Sequence, residues 1–164
     1  MSSDFYILSI LPHAGIIIKI CRAYTDTEAD FEDYYQEVCL QIWRSKDNFK
    51  GQSEWSTWIY RLTLNVCLTL LKKSKKKKQH FSSDHEPVDI PDESQTDFSD
   101  ESLAMLYTAI RQLSEVDRAV ILLYLEEKSY QEISEIIGTN ANNIGVRITR
   151  IKERLKILLD GKIN

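Results

Sequence analysis

Apolar side chains recur at intervals of three and four along most of the chain, the spacing of one face of an α-helix. The first such run extends from about Phe5 to Tyr24 and is bent or started near Pro12, since proline interrupts a helical hydrogen-bond ladder. A second run, from about Thr27 to Arg44, brings Phe31, Tyr35, Val38 and Ile42 to one face, the predicted core stripe. Leu40 and Trp43 project towards the other side, near Asp33 and Gln36. Two large apolar groups outside the core stripe predict a face that docks on a partner. The alternative is that Trp43 packs on a neighbouring helix, because singly exposed apolar residues are ordinary. A third run starts after Ser53, the predicted N-cap, with Trp55, Trp58, Ile59, Leu62 and Val66 as its core stripe. Thr57, Arg61 and Asn65 form a polar stripe beside it, with Lys72 further along the same side. Leu64, Leu68 and Leu71 make the remainder apolar too, so the polar stripe is narrow and the helix is expected to pack on more than one side.

Periodicity then stops. Residues 81–100, FSSDHEPVDIPDESQTDFSD, hold two prolines, many acids and serines and no apolar repeat. Such a segment buries too little surface to offset its ordering entropy, so it reads as a linker. Beyond it, Ser114 with Asp117 marks a helix start, followed by Val116, Val120, Leu123 and Tyr124. Ser129 with Glu132 starts a second helix, Tyr130 to Ile137, whose core residues are Ile133, Ile136 and Ile137. Gly138 ends it. Thr139 or Asn140 caps a third helix, with Ile144, Ile148, Ile151, Leu155 and Leu158 on one face. A short helix, a glycine turn and a longer Arg- and Lys-rich helix make a helix-turn-helix, although an ordinary three-helix bundle shares the apolar spacing. The predicted architecture is therefore all-α. It has two small helical domains, 1–80 and 102–164, joined by an acidic flexible linker, 81–101, and the second domain contains the helix-turn-helix.

Charge sharpens this picture. The chain has a net charge of −4, yet residues 44–80 carry ten basic and two acidic side chains, and residues 140–164 carry six and two. Between them, residues 81–102 carry eight acids and no base. Charges separated by more than about 8–10 Å are largely screened, so partners respond to these local blocks and not to the overall sum. The densest block is Lys72 to Lys78, six lysines in seven residues, on the helix that begins with aromatics. Aromatic groups beside cations suit nucleic acid, the former for bases and the latter for phosphates. Arg61 and Asn65, one turn apart, suit a phosphate and a base edge, although three polar residues on a helix often form only a solvated face. The loop from Ser45 to Gln52 carries a lone aromatic, Phe49, which suits either an unstacked base or a plug for the helix junction. In the C-terminal helix-turn-helix, Asn142, Asn143, Gly145 and Val146 would lie near bases, with Arg147 and Arg150 near bases or phosphates.

Other chemistries find no support. Cys21, Cys39 and Cys67 sit singly in apolar patterns, as expected for buried thiols in a reduced compartment. His13, His80 and His85 share no ligand spacing, so no metal is expected. No nucleophile–base pair or phosphate loop appears, and neither a cofactor nor a small-molecule substrate is expected. The nearest approach to a membrane span, Phe5 to Cys21, is interrupted by Pro12, His13 and Lys19. Asp4 stands where a signal peptide needs a basic start.

Three stretches together resemble one family. ADFEDYYQEVCLQIW (Ala29 to Trp43), TWIYRLTLN (Thr57 to Asn65) and the run from Leu113 to Leu159 are similar to the alternative sigma factors of bacterial RNA polymerase, of the extracytoplasmic-function type within the sigma-70 superfamily. The resemblance covers nearly the whole chain in the right order. It implies a cytoplasmic protein that binds core RNA polymerase and promoter DNA and directs transcription initiation. It also implies an anti-sigma partner, often membrane-anchored. By position, Asp33, Gln36, Glu37, Leu40 and Trp43 would dock on the polymerase. Phe49, Arg61 and Asn65 would recognise and help open the minus-ten element, with Lys72, Lys73, Lys75 and Lys76 holding phosphates. Asn142, Asn143, Gly145, Val146, Arg147 and Arg150 would read the minus-thirty-five element. The acidic linker would lie in the nucleic-acid channels of the polymerase.

Departures from the family pattern fall at Leu64, where a basic residue is usual, at Thr69, where an aspartate is common, and at Asn143 and Gly145 in the recognition helix. Glycine inside a helix costs about 1 kcal/mol relative to alanine, and close approach of the backbone to DNA would account for it. Two rivals remain. A stand-alone helix-turn-helix regulator explains the C-terminal region but gives the aromatic–basic helix no task. A protein-binding helical adaptor has no need of two basic blocks.

Overall fold

The computed structural model describes residues 2–80 and 101–160, with residues 78–80 described by their backbone alone. The predicted linker lies outside the described residues, except for Glu101, which begins a helix. Every regular element among the described residues is helical. The chain divides into two compact units, Met1–Thr96 and Asp97–Asn164.

The first unit opens with a short turn α1 (Ser3–Phe5), a π-helical turn Tyr6–Ile10 and a 3₁₀ turn Leu11–His13 that contains Pro12, leading into α2 (Ala14–Ala23). The ladder changes form around the residue that has no N–H to give it. By length and composition alone, the run Ser3–Ala23, with mean hydropathy 1.5, would suffice to cross a membrane, which its interruptions did not suggest. Its Ile10, Ile17, Ile20 and Cys21 are fully buried, and α2 packs on the next two helices. Each such isoleucine contributes about 1.5–3 kcal/mol on leaving water.

Helix α3 (Glu28–Ser45) starts where expected, with the Thr27 hydroxyl accepting the Asp30 N–H at 3.1 Å and with Glu28 and Asp30 in its first turn. Its buried residues are Tyr34, Val38, Cys39 and Ile42. Phe31 and Tyr35, predicted as core, are only half-buried. The Arg22 guanidinium lies 4.5 Å from the Phe31 ring centroid, and the Tyr35 hydroxyl finds Tyr6 at 2.9 Å. A phenol needs a polar partner, so Tyr35 stays at the edge of the core while small Cys39 enters it.

Helix α4 (Trp55–His80) corrects the sequence reading most. Its buried face is Ile59, Tyr60, Thr63, Leu64 and Cys67; of the predicted stripe only Ile59 is among them, while Trp55, Trp58, Leu62 and Val66 are half-buried. A helix apolar on most sides has no unique phase. The Thr63 hydroxyl is satisfied within the helix by donating to the Ile59 carbonyl at 2.7 Å, so threonine can occupy a fully buried position. Glu54, not Ser53, occupies the cap position, since the helix begins at Trp55 and the Glu54 carbonyl accepts the Trp58 N–H at 3.0 Å. The sulfurs of Cys21 and Cys67 lie 3.9 Å apart in this core. Burial pushes the Cys39 thiol up to about 11, and the Cys67 thiol is held well above its ordinary value by its bond with Cys21 and then by burial.

The second unit contains α5 (Glu101–Arg111), α6 (Glu115–Leu125), α7 (Tyr130–Ile137) and α8 (Ala141–Asp160). The sequence reading gave no place to α5, although Tyr107, Ala109 and Ile110 form its buried face. Arg118 of α6 donates to the Arg111 and Leu113 carbonyls at 2.6 and 3.1 Å, satisfying groups that the end of α5 leaves open. Ser114 and Ser129 cap α6 and α7 as predicted, accepting the Asp117 and Glu132 N–H groups. Gly138 ends α7 at φ +91°, and Asn140, not Thr139, caps α8 by accepting the Asn143 N–H at 2.8 Å. Ile144, Ile148, Ile151 and Leu155 are buried. Val116, in the charged first turn of α6, is exposed, and Ala119, Val120, Ile121, Leu122 and Leu123 fill the interior.

Candidate nucleic-acid interface

Three of the α4 residues predicted to be core, Trp58, Leu62 and Val66, instead line a cleft of about 510 Å³ against α3. Trp58, Leu62, Val66 and Leu70 supply its apolar side chains. Arg61, Asn65, Thr69 and Lys73 from α4 and Glu37, Gln41, Ser45 and Asn48 from α3 and the following turn supply its polar ones. Asn65 is exposed, and its main-chain carbonyl accepts the Thr69 hydroxyl at 2.8 Å. Gln41 donates to Glu37 at 3.0 Å, so the α3 side is held in a defined arrangement. Apolar surface beside amide and guanidinium donors suits the flat face and polar edge of an unstacked base. Sequence reasoning singled out Arg61, Asn65 and the loop that starts at Ser45 but missed Gln41. Its place one turn after Glu37 on the same helix was the available signal.

Phe49 lies outside this cleft's lining, half-buried against Trp55 and Trp58 with ring centroids at 5.1 and 5.7 Å. The two tryptophans stack on each other at 5.0 Å, and the Trp55 N–H donates to the Ser9 carbonyl at 2.9 Å. Phe49 thus packs at the junction of α3 and α4. Leu40 and Trp43 lie outside the buried set of α3, and both are half-buried. Phe5 covers Trp43 edge-on at 5.2 Å, and the Lys46 ammonium sits 3.9 Å from its ring centroid. Of the residues predicted to dock on a partner, Asp33 and Gln36 are the exposed ones, and Glu37 lies at the cleft.

Lys72, Lys73, Lys75 and Lys76 are exposed along α4. Lys73, Lys76 and Lys77 line a second cleft opposite Asp30, Asp33 and Glu37 of α3. The lysine block therefore begins beside acids of its own domain, which lowers the local positive field there.

In the second unit, α7 and α8 form the helix-turn-helix. Asn142, Asn143, Val146 and Arg150 are exposed at the start of α8 and share a cleft of about 470 Å³ with half-buried Arg147. Arg147 is held: its Nη1 lies 2.8 Å from Asp117 of α6, and its Nε donates to Asn143 at 3.3 Å. Gly145 is not open towards solvent like its neighbours. A Cβ placed there would lie 3.4 Å from the Tyr130 ring, so this glycine is where α7 closes on α8. Lys152 donates to the Tyr124 hydroxyl at 2.7 Å, which raises the Lys152 pKa.

Comparison with known proteins agrees with both halves of the chain. The family model described as sigma-70 region 2 matches residues 10–77, and that described as sigma-70, region 4 matches residues 103–155. The RNA polymerase sigma-H factor of Pseudomonas aeruginosa is 25% identical over 159 residues, covering 90% of this chain and 82% of its own length. The ECF RNA polymerase sigma factor SigG of Mycobacterium tuberculosis is 27% identical and covers 88% of this chain, which spans 46% of SigG. Among solved structures, the sigma factor RpoE in complex with the anti-sigma factor NepR from Bartonella quintana superposes with a TM-score of 0.74. That match covers 98% of this chain and 99% of RpoE at 20% identity, a likeness of fold.

Proposed function

The chain belongs to the sigma-70 family, and we propose that it is an alternative sigma factor whose α4 cleft receives a base of the opened minus-ten element while α8 reads the minus-thirty-five element. The observation that carries this reading is the cleft itself. Trp58, Arg61 and Asn65 meet there on the one helix that continues into the lysine tract. Extruding a base costs a few kcal/mol of stacking, and contacts in a partly apolar pocket with an amide and a guanidinium offset it. The lysines add a sequence-independent attraction for phosphates that weakens with salt. Melting the promoter on this account uses binding energy and no covalent step, so the chain acts without catalysis, cofactor or small-molecule substrate. Core polymerase and promoter DNA are its partners, and the cytoplasm is where it meets them. Since RpoE was solved with NepR, and CnrH with the cytosolic domain of CnrY, an anti-sigma factor is a further partner.

Division of labour within the first unit follows from exposure. Asp33 and Gln36 of α3 face outwards towards the polymerase, while Asn65 of α4 faces the strand. With a fluorescent base analogue in the minus-ten element and reconstituted holoenzyme, Asn65→Ala is expected to reduce strand opening at least tenfold while leaving co-elution with core enzyme intact. The Asp33→Ala/Gln36→Ala pair is expected to weaken co-elution first. Equal loss of both activities in both variants contradicts this assignment.

A further inference from the structure

We propose that Asp117 is a positioning residue for promoter reading: it fixes the Arg147 guanidinium so that α8 selects a guanine-bearing base pair at one position of the upstream element. This rests on the reading of α8 as the helix that enters the major groove. Asp117 belongs to α6 and lies thirty residues before Arg147 in the chain, yet its Oδ1 is 2.8 Å from Arg147 Nη1. Its own backbone is set by a cap, the Ser114 hydroxyl accepting its N–H at 3.2 Å, so the carboxylate is held in the first turn of a packed helix. A second hold comes from α8, where Asn143 accepts the Arg147 Nε–H at 3.3 Å. Asn143 is fixed in turn by the Asn140 cap on its N–H at 2.8 Å.

Two of the five guanidinium N–H groups are thus engaged. Three others, including both on Nη2, have no partner among the described residues, and Arg147 lines the same cleft as Asn142, Val146 and Arg150. A planar fork already oriented by a carboxylate loses less freedom on meeting its target, and its geometry matches the paired O6 and N7 acceptors of guanine. The cost is informative. A carboxylate beside DNA repels phosphates, so Asp117 weakens sequence-independent attraction while sharpening the choice of base. A residue serving only to hold α6 on α8 would not couple those two effects.

The test uses holoenzyme reconstituted with the full chain and a promoter pool randomised across the upstream element. Arg147→Ala is expected to flatten the preference for guanine at one position. Asp117→Asn, nearly isosteric, is expected to reduce discrimination at that same position about three- to tenfold, a part of the bidentate contact's worth. It should also raise affinity for unrelated duplex. The double variant should be no flatter than Arg147→Ala alone. Asp117→Glu, which keeps the charge, should retain most of the preference and guards against a fold defect in Asp117→Asn. Asp117→Asn leaving that position unchanged while Arg147→Ala flattens it overturns the inference alone, as does a uniform loss across all sequences. If Arg147→Ala, Asn143→Ala and Arg150→Ala all leave upstream preferences unaltered, α8 is not the reader and the inference falls with that reading.

Discussion

Gly145 shows how a single residue's meaning changes once its neighbour is known. A glycine near the start of a DNA-reading helix invites the idea of close backbone approach to the groove. The Tyr130 ring instead covers it, with a hypothetical Cβ at 3.4 Å, ordinary contact distance, and Gly145 is not among the glycines at positive φ. Gly145→Ala is therefore expected to stabilise the second unit by up to about 1 kcal/mol through helix propensity. Thermal melts should show its transition moving up by a few degrees with duplex affinity unchanged; a lower midpoint, or lost affinity, would restore the groove-approach explanation. Asn65 and Arg61 were legible because polar side chains four apart stand out on an apolar helix. Asp117 was not, because its role depends on a partner thirty residues away and no local period encodes that.

At the scale of elements, the helices were legible and their rotation was not. Thr27, Ser114, Ser129 and Gly138 marked helix ends correctly because capping is a local exchange of hydrogen bonds between near neighbours. The phase of α4 does not follow side-chain size: Thr63 and Cys67 are fully buried while Trp55 and Trp58 stay half-buried. The buried thiols and phenol of the three-helix core have a measurable consequence. Burial raises Tyr34 to about 12 and Cys39 to about 11, whereas an unfolded thiol ionises near about 8.5. Above that pH the unfolded chain releases protons that the folded core retains, so folding stability is complete below it and declines until the folded values are passed. Circular-dichroism melts should give a first-unit midpoint steady from pH 7 to 8 and falling progressively from about 8.5 to about 11. An unchanged midpoint over the alkaline range would mean these groups titrate as freely when folded as when unfolded.

For the molecule as a whole, charge distribution carried more information than total charge. A net −4 chain gives no sign of binding nucleic acid until its two basic blocks are separated from the acids between them. The order of the two helical units was readable from the break in periodicity at residues 81–100, whereas α5 was lost because it follows that break with no capping signal of its own. The structure adds that Lys73, Lys76 and Lys77 face Asp30, Asp33 and Glu37, so the first block is partly offset within its own domain. The central claim is that this chain confers promoter recognition on a polymerase that lacks it. Run-off transcription with core RNA polymerase on a library of genomic fragments tests that claim most directly. Discrete transcripts from a subset of fragments, appearing only when the chain is added and lost with Asn65→Ala, are the expected result. No transcripts above core enzyme alone, together with failure of the chain to co-elute with core, would contradict it.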